Sequence, residues 1–247
     1  MKKVMKCCLA VALGFAAVGY SKDAGHGKVQ LWKDGPYWAE TNIGAEKPWD
    51  FGYHFRWGDT VGYKRVNEAW VASDGSSSNF SFEQKNTLTH AKDDLTLMDG
   101  GWVTVKVKEG GDTIDYILAP KHDAAHVHWG GNWRMPTKQE LDGLFNKCDW
   151  AWTTMHGVNG YAVRGRGDYA LASIFLPCAG FAFRTLFRFD NSEGGYWSSS
   201  LDEDVSEDAW NLTFDSSKKE EHIFGRYFGQ CIRPVQGGEK GSVDKVD

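Results

Sequence analysis

The stretch His122–Cys148, HDAAHVHWGGNWRMPTKQELDGLFNKC, decides the reading of the fold. Thr137 stands three residues before Glu140, the spacing at which a hydroxyl and a carboxylate each accept a free backbone N–H at a helix start. Leu141, Leu144, Phe145 and Cys148 follow at helical spacing, which predicts an amphipathic helix. Upstream, Pro120 introduces a short helix over His122–His128. Gly130 and Gly131 permit a tight turn before Pro136 and Thr137 start the second helix, with Trp129 and Trp133 as large core aromatics beside it.

Outward from this stretch the text reads mainly as strands. Before it, a strand is expected near Tyr37–Asn42, then a short helix started by Pro48 with Trp49, Tyr53 and Phe55 on its inner face. Ser73–Asn79 is a Ser/Gly loop, and the alternation in Trp102–Val107, the turn Glu109–Asp112 and the return Thr113–Ala119 form a hairpin signal. After it, strands are expected at Tyr161–Val163, Ser173–Leu176, Tyr196–Ser200, Trp210–Phe214 and Gln230–Val235. Few helices followed by several short strands describe an α+β domain with an antiparallel sheet.

The chain has 247 residues, enough for one large domain with a real core. Its formal net charge of -5 argues against electrostatic capture of nucleic acid or anionic lipid. A mean hydropathy of -0.49 excludes a polytopic membrane protein, and 14% aromatic residues argue against disorder. The combination of 12 Trp and 29 Gly with 6 Pro suits short strands, glycine-supported loops and flat aromatic binding surfaces.

Residues 1–21 read as a secretory signal: Lys2, Lys3 and Lys6 form a charged start, Cys7–Val18 an apolar run, and Ala17-Val18-Gly19 a small-residue cleavage site. That predicts export from the cytoplasm, to a periplasm or an outer surface, with no membrane span in the mature chain. Residues 28–236 are expected to form one domain and 237–247 a frayed tail. Cys148, Cys178 and Cys231 then remain, and the sequence allows three pairings. Cys148 with Cys178 is preferred, against three buried small side chains.

Five separated strings carry a resemblance: GPYWAETNIGAEKPWDFGYHFRWGD at 35–59, the stretch at 122–148, SIFLPCAGF at 173–181, GGYWSSS at 194–200 and RYFGQCIRPV at 226–235. Together they resemble the Fibrobacter succinogenes major paralogous domain of secreted bacterial proteins, which is similar to the C-type-lectin-like superfamily. The resemblance implies a C-type-lectin-like fold, with two main helices, a mixed, mostly antiparallel sheet and chain ends that come together. The activity of that family is largely undefined, so the resemblance implies more about fold than function. Arg134 and Arg233 lie beside core-type strings and are expected in buried or half-buried structural ion pairs rather than at a ligand.

Several candidate chemistries are weighed and set aside. His122 and His126 stand four apart, as in zinc proteases, but Asp123 replaces the general-base Glu and His128 is misplaced for a third ligand. Asp202, Glu203, Asp204, Glu207 and Asp208 could gather around Ca²⁺, yet Trp210-Asn211-Leu212 lacks the carboxylate found in calcium lectins, so a solvated acidic loop is favoured. Cys231 lacks a nearby second cysteine of the kind the related oxidases use, and Ser198–Ser200 lack a nucleophile elbow. No catalytic residue, metal or cofactor is therefore assigned.

The segment Phe181–Asp190 interleaves Phe181, Phe183, Phe187 and Phe189 with Arg184 and Arg188, the residue types of binding hot spots. Its alternative is a strand or hairpin that sends alternate Phe side chains into the core. Phe183, Arg184, Phe187, Arg188, Asp190, Asp202 and Asp204 are the expected ligand contacts, brought into one patch by the loops 181–193 and 202–208. Tyr227 and Phe228 are left out because they lead into the final strand. The resulting expectation is a secreted or cell-surface, lectin-like binding module for a glycan or protein ligand, without catalysis. A structural component of the cell envelope is the alternative, and an oxidase-like or metal-dependent enzyme ranks last.

Overall fold

The computed structural model describes residues 26–67, 69–76, 103–107, 113–184, 186–205 and 207–238, with backbone alone at 103–107 and 113–115. The signal reading over 1–21, part of the loop at 73–79 and the tail from 239 lie outside the described residues.

The described chain enters through β1 (Lys28–Gln30) and β2 (Tyr37–Ala39), followed by the hairpin of β3 (Tyr63–Val66) and β4 (Ala69–Ala72). β5 (Val103–Val107) and β6 (Thr113–Leu118) pair antiparallel, and α1 (Ala124–Trp129), β7 (Trp133–Arg134) and α2 (Lys138–Lys147) follow. β8 (Cys148–Met155), β9 (Val158–Gly165) and β10 (Ser173–Pro177) make a three-stranded sheet, and β11 (Phe181–Phe183) pairs with β12 (Leu186–Arg188). The largest sheet uses β13 (Gly194–Leu201), β14 (Asp208–Phe214) and β15 (Lys219–Gly225) in the order β15-β14-β13-β6-β5. The last strand, β16 (Val235–Gln236), lies between β2 and β7, so the two ends of the described chain share one four-stranded sheet.

This architecture corrects the expected fold class. Strands hold 45% of the structure described and helices 13%, in several small sheets, which is a mostly β structure and not an α+β, C-type-lectin-like fold with two main helices. The helices are short for local reasons. α1 has six residues because its carboxyl end runs into Gly130 and Gly131, whose φ of 67° and 57° turn the backbone left-handed. α2 has the expected capping box, Thr137 and Glu140 each accepting the other's N–H, but stops at Lys147 because Cys148 is already extended and opens β8. The helix expected from Pro48 is absent: 48–50 form turns and 53–55 run extended, with His54 and Phe55 in β-bridges.

β13 organises the core, with all eight residues buried. Its period-two alternation sends Tyr196 into one apolar cluster with Leu144, Leu176 and Phe214, and Trp197 into another with Phe55, Trp57 and Ile232. Their polar ends are matched to carbonyls: Tyr196 Oη donates to Pro177 O at 2.8 Å and Trp197 Nε1 to Phe55 O at 2.9 Å. Ser198 and Ser199 donate to Trp210 O and Pro136 O, and Ser200 Oγ accepts from Lys138 N, so the serine run fastens β13 to β14 and to the start of α2. At Gly195 an added Cβ would lie 2.3 Å from the Phe181 ring, so glycine there makes room for the β11–β12 hairpin.

Two arginines bind the periphery to this core. Arg134 meets Glu140 at 2.7 and 2.6 Å and donates to Gly237 O at 2.8 Å, the structural ion pair expected of it. Arg233 differs from its expectation. It is 1% exposed and donates to Asn42 Oδ1, Ala39 O, Glu40 O and Phe175 O, so neutral oxygens rather than a carboxylate satisfy the guanidinium. Burial lowers its pKa from the usual arginine value. Among the described residues Cys148, Cys178 and Cys231 are buried free thiols, so the Cys148–Cys178 pairing is not formed.

Candidate functional site

The β11–β12 hairpin divides two hollows. In its register Phe181 pairs with Arg188, Ala182 with Phe187 and Phe183 with Leu186, so alternate pairs face opposite ways. Ala182 and Phe187 turn toward Tyr63, Trp70 and Ala72 of the β3–β4 hairpin. Phe181 and Phe183 face the other way, onto Phe224 and Phe228, with ring separations of 5.5 and 4.9 Å.

The first hollow is a cleft of about 740 Å³, within the range of small-molecule sites. Four chain segments wall it: 44–54, residues 64–67 at the end of β3, Val158 at the start of β9, and Phe187 with Asp190. Trp49, Phe51 and Phe187 supply aromatic surface, while Glu46, Asp50, Asp190, Lys64 and Arg65 supply charges of both signs. One face of the Trp49 indole is stacked on His156 at 3.9 Å, so the ring meets the cleft by its other face or its edge. Asp50 Oδ2 accepts from the N–H groups of Glu46 and Lys47, which closes the turn that presents Trp49. Asn191 holds the opposite wall, its Oδ1 accepting from Asn159 N at 2.6 Å and its carbonyl from Asn159 Nδ2 at 3.0 Å.

At the base of the cleft His54 is 2% exposed, its ring 3.6 Å from the Cys231 sulfur and edge-on to Phe187 at 4.9 Å. Burial drives the imidazole pKa down to about 4, outweighing the opposing hydrogen bond to Ala179 O. Burial also raises the Cys231 thiol far above its ordinary value, and the thiol donates to Phe51 O at 3.2 Å. A neutral imidazole beside a thiol with so little thiolate character is not an activated nucleophile pair.

The second hollow, about 430 Å³, lies on the other side of the hairpin. Phe181, Phe183, Phe189 and Phe228 line it, with Arg188 and Glu220 among its charged residues.

The expected contact residues are therefore dispersed. Phe187 and Asp190 enter the cleft, whereas Phe183 and Arg188 line the second hollow. Arg184 is exposed at the hairpin turn with φ 55°, its guanidinium 5.2 Å from the Phe183 ring. Asp202 is 7% exposed and accepts from the N–H groups of Asp204 and Val205, a turn-closing role, while Asp204 is exposed. Neither lines either hollow, and the length of β13 separates them from the hairpin, so the single patch expected of loops 181–193 and 202–208 is not formed. Phe228, left out on sequence grounds, lines the second hollow.

Glu46, Trp49, Asp50, Phe51, His54, Lys64 and Arg65 are among the cleft residues that sequence reasoning missed. The aromatic density of 37–57 was the available signal, but the helix assigned from Pro48 turned Trp49 inward. Elsewhere, His126 donates its backbone N–H to Asp123, and a ring nitrogen of His128 bonds Thr60 O. Among the described residues no three His, Cys, Asp or Glu side chains are grouped to hold a metal, and no helix is long and apolar enough to cross a membrane. Comparison of the chain with models of known protein families, with curated proteins and with solved structures found no match in any of the three.

Proposed function

We propose that this is an exported, non-catalytic binding protein that holds a glycan in the cleft between Trp49, the end of β3 and Phe187. The observation that carries the reading is the lining: aromatic rings beside acidic and basic side chains in a hollow of about 740 Å³. Sugars present apolar C–H faces and polar hydroxyl edges, and this wall offers a partner to each. A concave wall suits a small ligand better than the broad surface a protein partner requires. The unactivated His54–Cys231 pair favours binding over catalysis. Export rests on the sequence of residues 1–21, and the resemblance to the Fibrobacter paralogous domain agrees with a surface or periplasmic role.

Calorimetric titration with maltose, cellobiose, lactose and chitobiose tests the reading, backed by a glycan array. At least one saturable ligand is expected, and both Trp49→Ala and Asp190→Asn should weaken it by about tenfold without lowering the melting temperature. An array without saturable capture, or a ligand indifferent to both changes, would sink the proposal.

A further inference from the structure

The bonds around His54 determine which ring nitrogen carries hydrogen. Nε2 lies 2.9 Å from Ala179 O, and a carbonyl can only accept, so Nε2 is the N–H. The Cys231 thiol, 3.6 Å from the same nitrogen, sends its own proton to Phe51 O and leaves that assignment intact. With the pKa held near 4 by burial, the ring is neutral at neutral pH. Nδ1 is then a lone-pair acceptor, buried and met by no donor of the protein. Buried polar atoms are nearly always satisfied, and one left open beside a hollow marks a place for a partner. His54 lines the cleft, and the Phe187 ring that stands over it at 4.9 Å lines the same cleft.

We propose that Nδ1 of His54 accepts a hydrogen bond from one ligand hydroxyl at the base of the cleft, reached when the Phe187 ring swings off the imidazole. The inference rests on the glycan reading and adds a specificity rule to it. The base of the cleft demands a donor, so a hydroxyl fits, while a carboxylate, a phosphate or a methylated hydroxyl brings a lone pair against a lone pair.

The test uses the mature protein with ¹⁵N-labelled histidine, the same four disaccharides and their permethylated forms. Long-range ¹H–¹⁵N spectra of the free protein should show His54 with an unprotonated Nδ1, and its signal should move toward the hydrogen-bonded range on saturation with the disaccharide that binds. His54→Gln keeps an N–H for Ala179 O but has no acceptor at the δ position, and should lose about tenfold in affinity with its melt unchanged. His54→Asn places an amide oxygen near the δ position and should retain more affinity than the Gln variant, even if less stable. Permethylated sugars should not bind. A protonated Nδ1 in the free protein, an unmoved signal at saturation, or equal affinity of wild type and His54→Gln for a ligand that still needs Trp49 would overturn the His54 assignment alone. Failure of every disaccharide to bind the wild type would overturn it together with the cleft reading. Should the Gln variant not fold, the wild-type spectra and the Asn variant decide.

Discussion

Glu221 lies on β15 opposite Leu212, half-buried, with its Oε1 enclosed and unpartnered. Burial raises its carboxyl pKa to about 8, helped by the hydrogen bond and negative charge of Asp142 on α2 and opposed by Lys138. An unfolded glutamate titrates near 4.3, so between that pH and about 8 the folded protein keeps a proton that the unfolded chain has lost. Folding is therefore favoured below the unfolded pKa, and stability falls as pH rises through this window before levelling off. At about 1.4 kcal/mol for each pH unit the full linkage would be roughly 5 kcal/mol. Glu221 is partly exposed, and screening by solvent reduces the expected effect to about 1–2 kcal/mol. Glu221→Gln has no proton to lose. It should match the wild type near pH 4.5 and exceed it near pH 8.5 by about 3–6 °C, since a domain of this size gains about 2–4 °C per kcal/mol. Scanning calorimetry at both pH values checks this. A gain of the same size at both, or a less stable Gln variant near pH 8.5, would refute the protonation argument.

Three further outcomes follow from the packing. Arg233→Met leaves four oxygens without their donor and should cost about 3–5 kcal/mol, read as a fall of 6 °C or more in the melt; a shift below about 2 °C would contradict the node described for it. Asp123→Ala removes the acceptor for both His126 N and Met135 N, at 3.0 and 2.8 Å, and should cost about 2 kcal/mol in chemical denaturation. The thiols of Cys148 and Cys178, raised to about 12 by burial, and that of Cys231 should react very slowly with an aromatic disulfide reagent in the native protein and fully once it is denatured. Rapid native labelling, or a disulfide found by mass spectrometry, would count against the buried free thiols.

What the sequence made legible is what short-range chemistry controls. The capping box at Thr137 and Glu140 and the β5–β6 hairpin are each encoded within a few residues, and the short helix expected over His122–His128 is present, shifted to start after Asp123 because Pro120 opens a separate turn. β8 was missed because Cys148 completes the apolar spacing of α2 and opens the strand as well, so the period changes without a breaker. β15 was missed because it is a charged edge strand, KEEHIFG, half-buried along most of its length but without an apolar stripe. β3 and β4 turn at Asn67, with φ 49°, where no glycine marks the hairpin. The cleft was the least legible part. Phe187 and Asp190 were singled out, but Trp49, His54 and Arg65 come from more than a hundred residues earlier, and a pairing at that separation leaves no local pattern.

The strand that places Val235 opposite Trp38 also sets the order in which the protein can form. β2 has only β1 as a partner until β16 arrives, and the carbonyls of Ala39 and Glu40 lack their guanidinium until Arg233 arrives. Cys231, which donates to Phe51 O, comes from the same late segment. Closing so long a loop is slow, because its entropy is lost before the contacts that reward it are made. A growing chain is therefore held short of its native core until residues 231–236 have been made, so the early strands wait open-edged for most of synthesis.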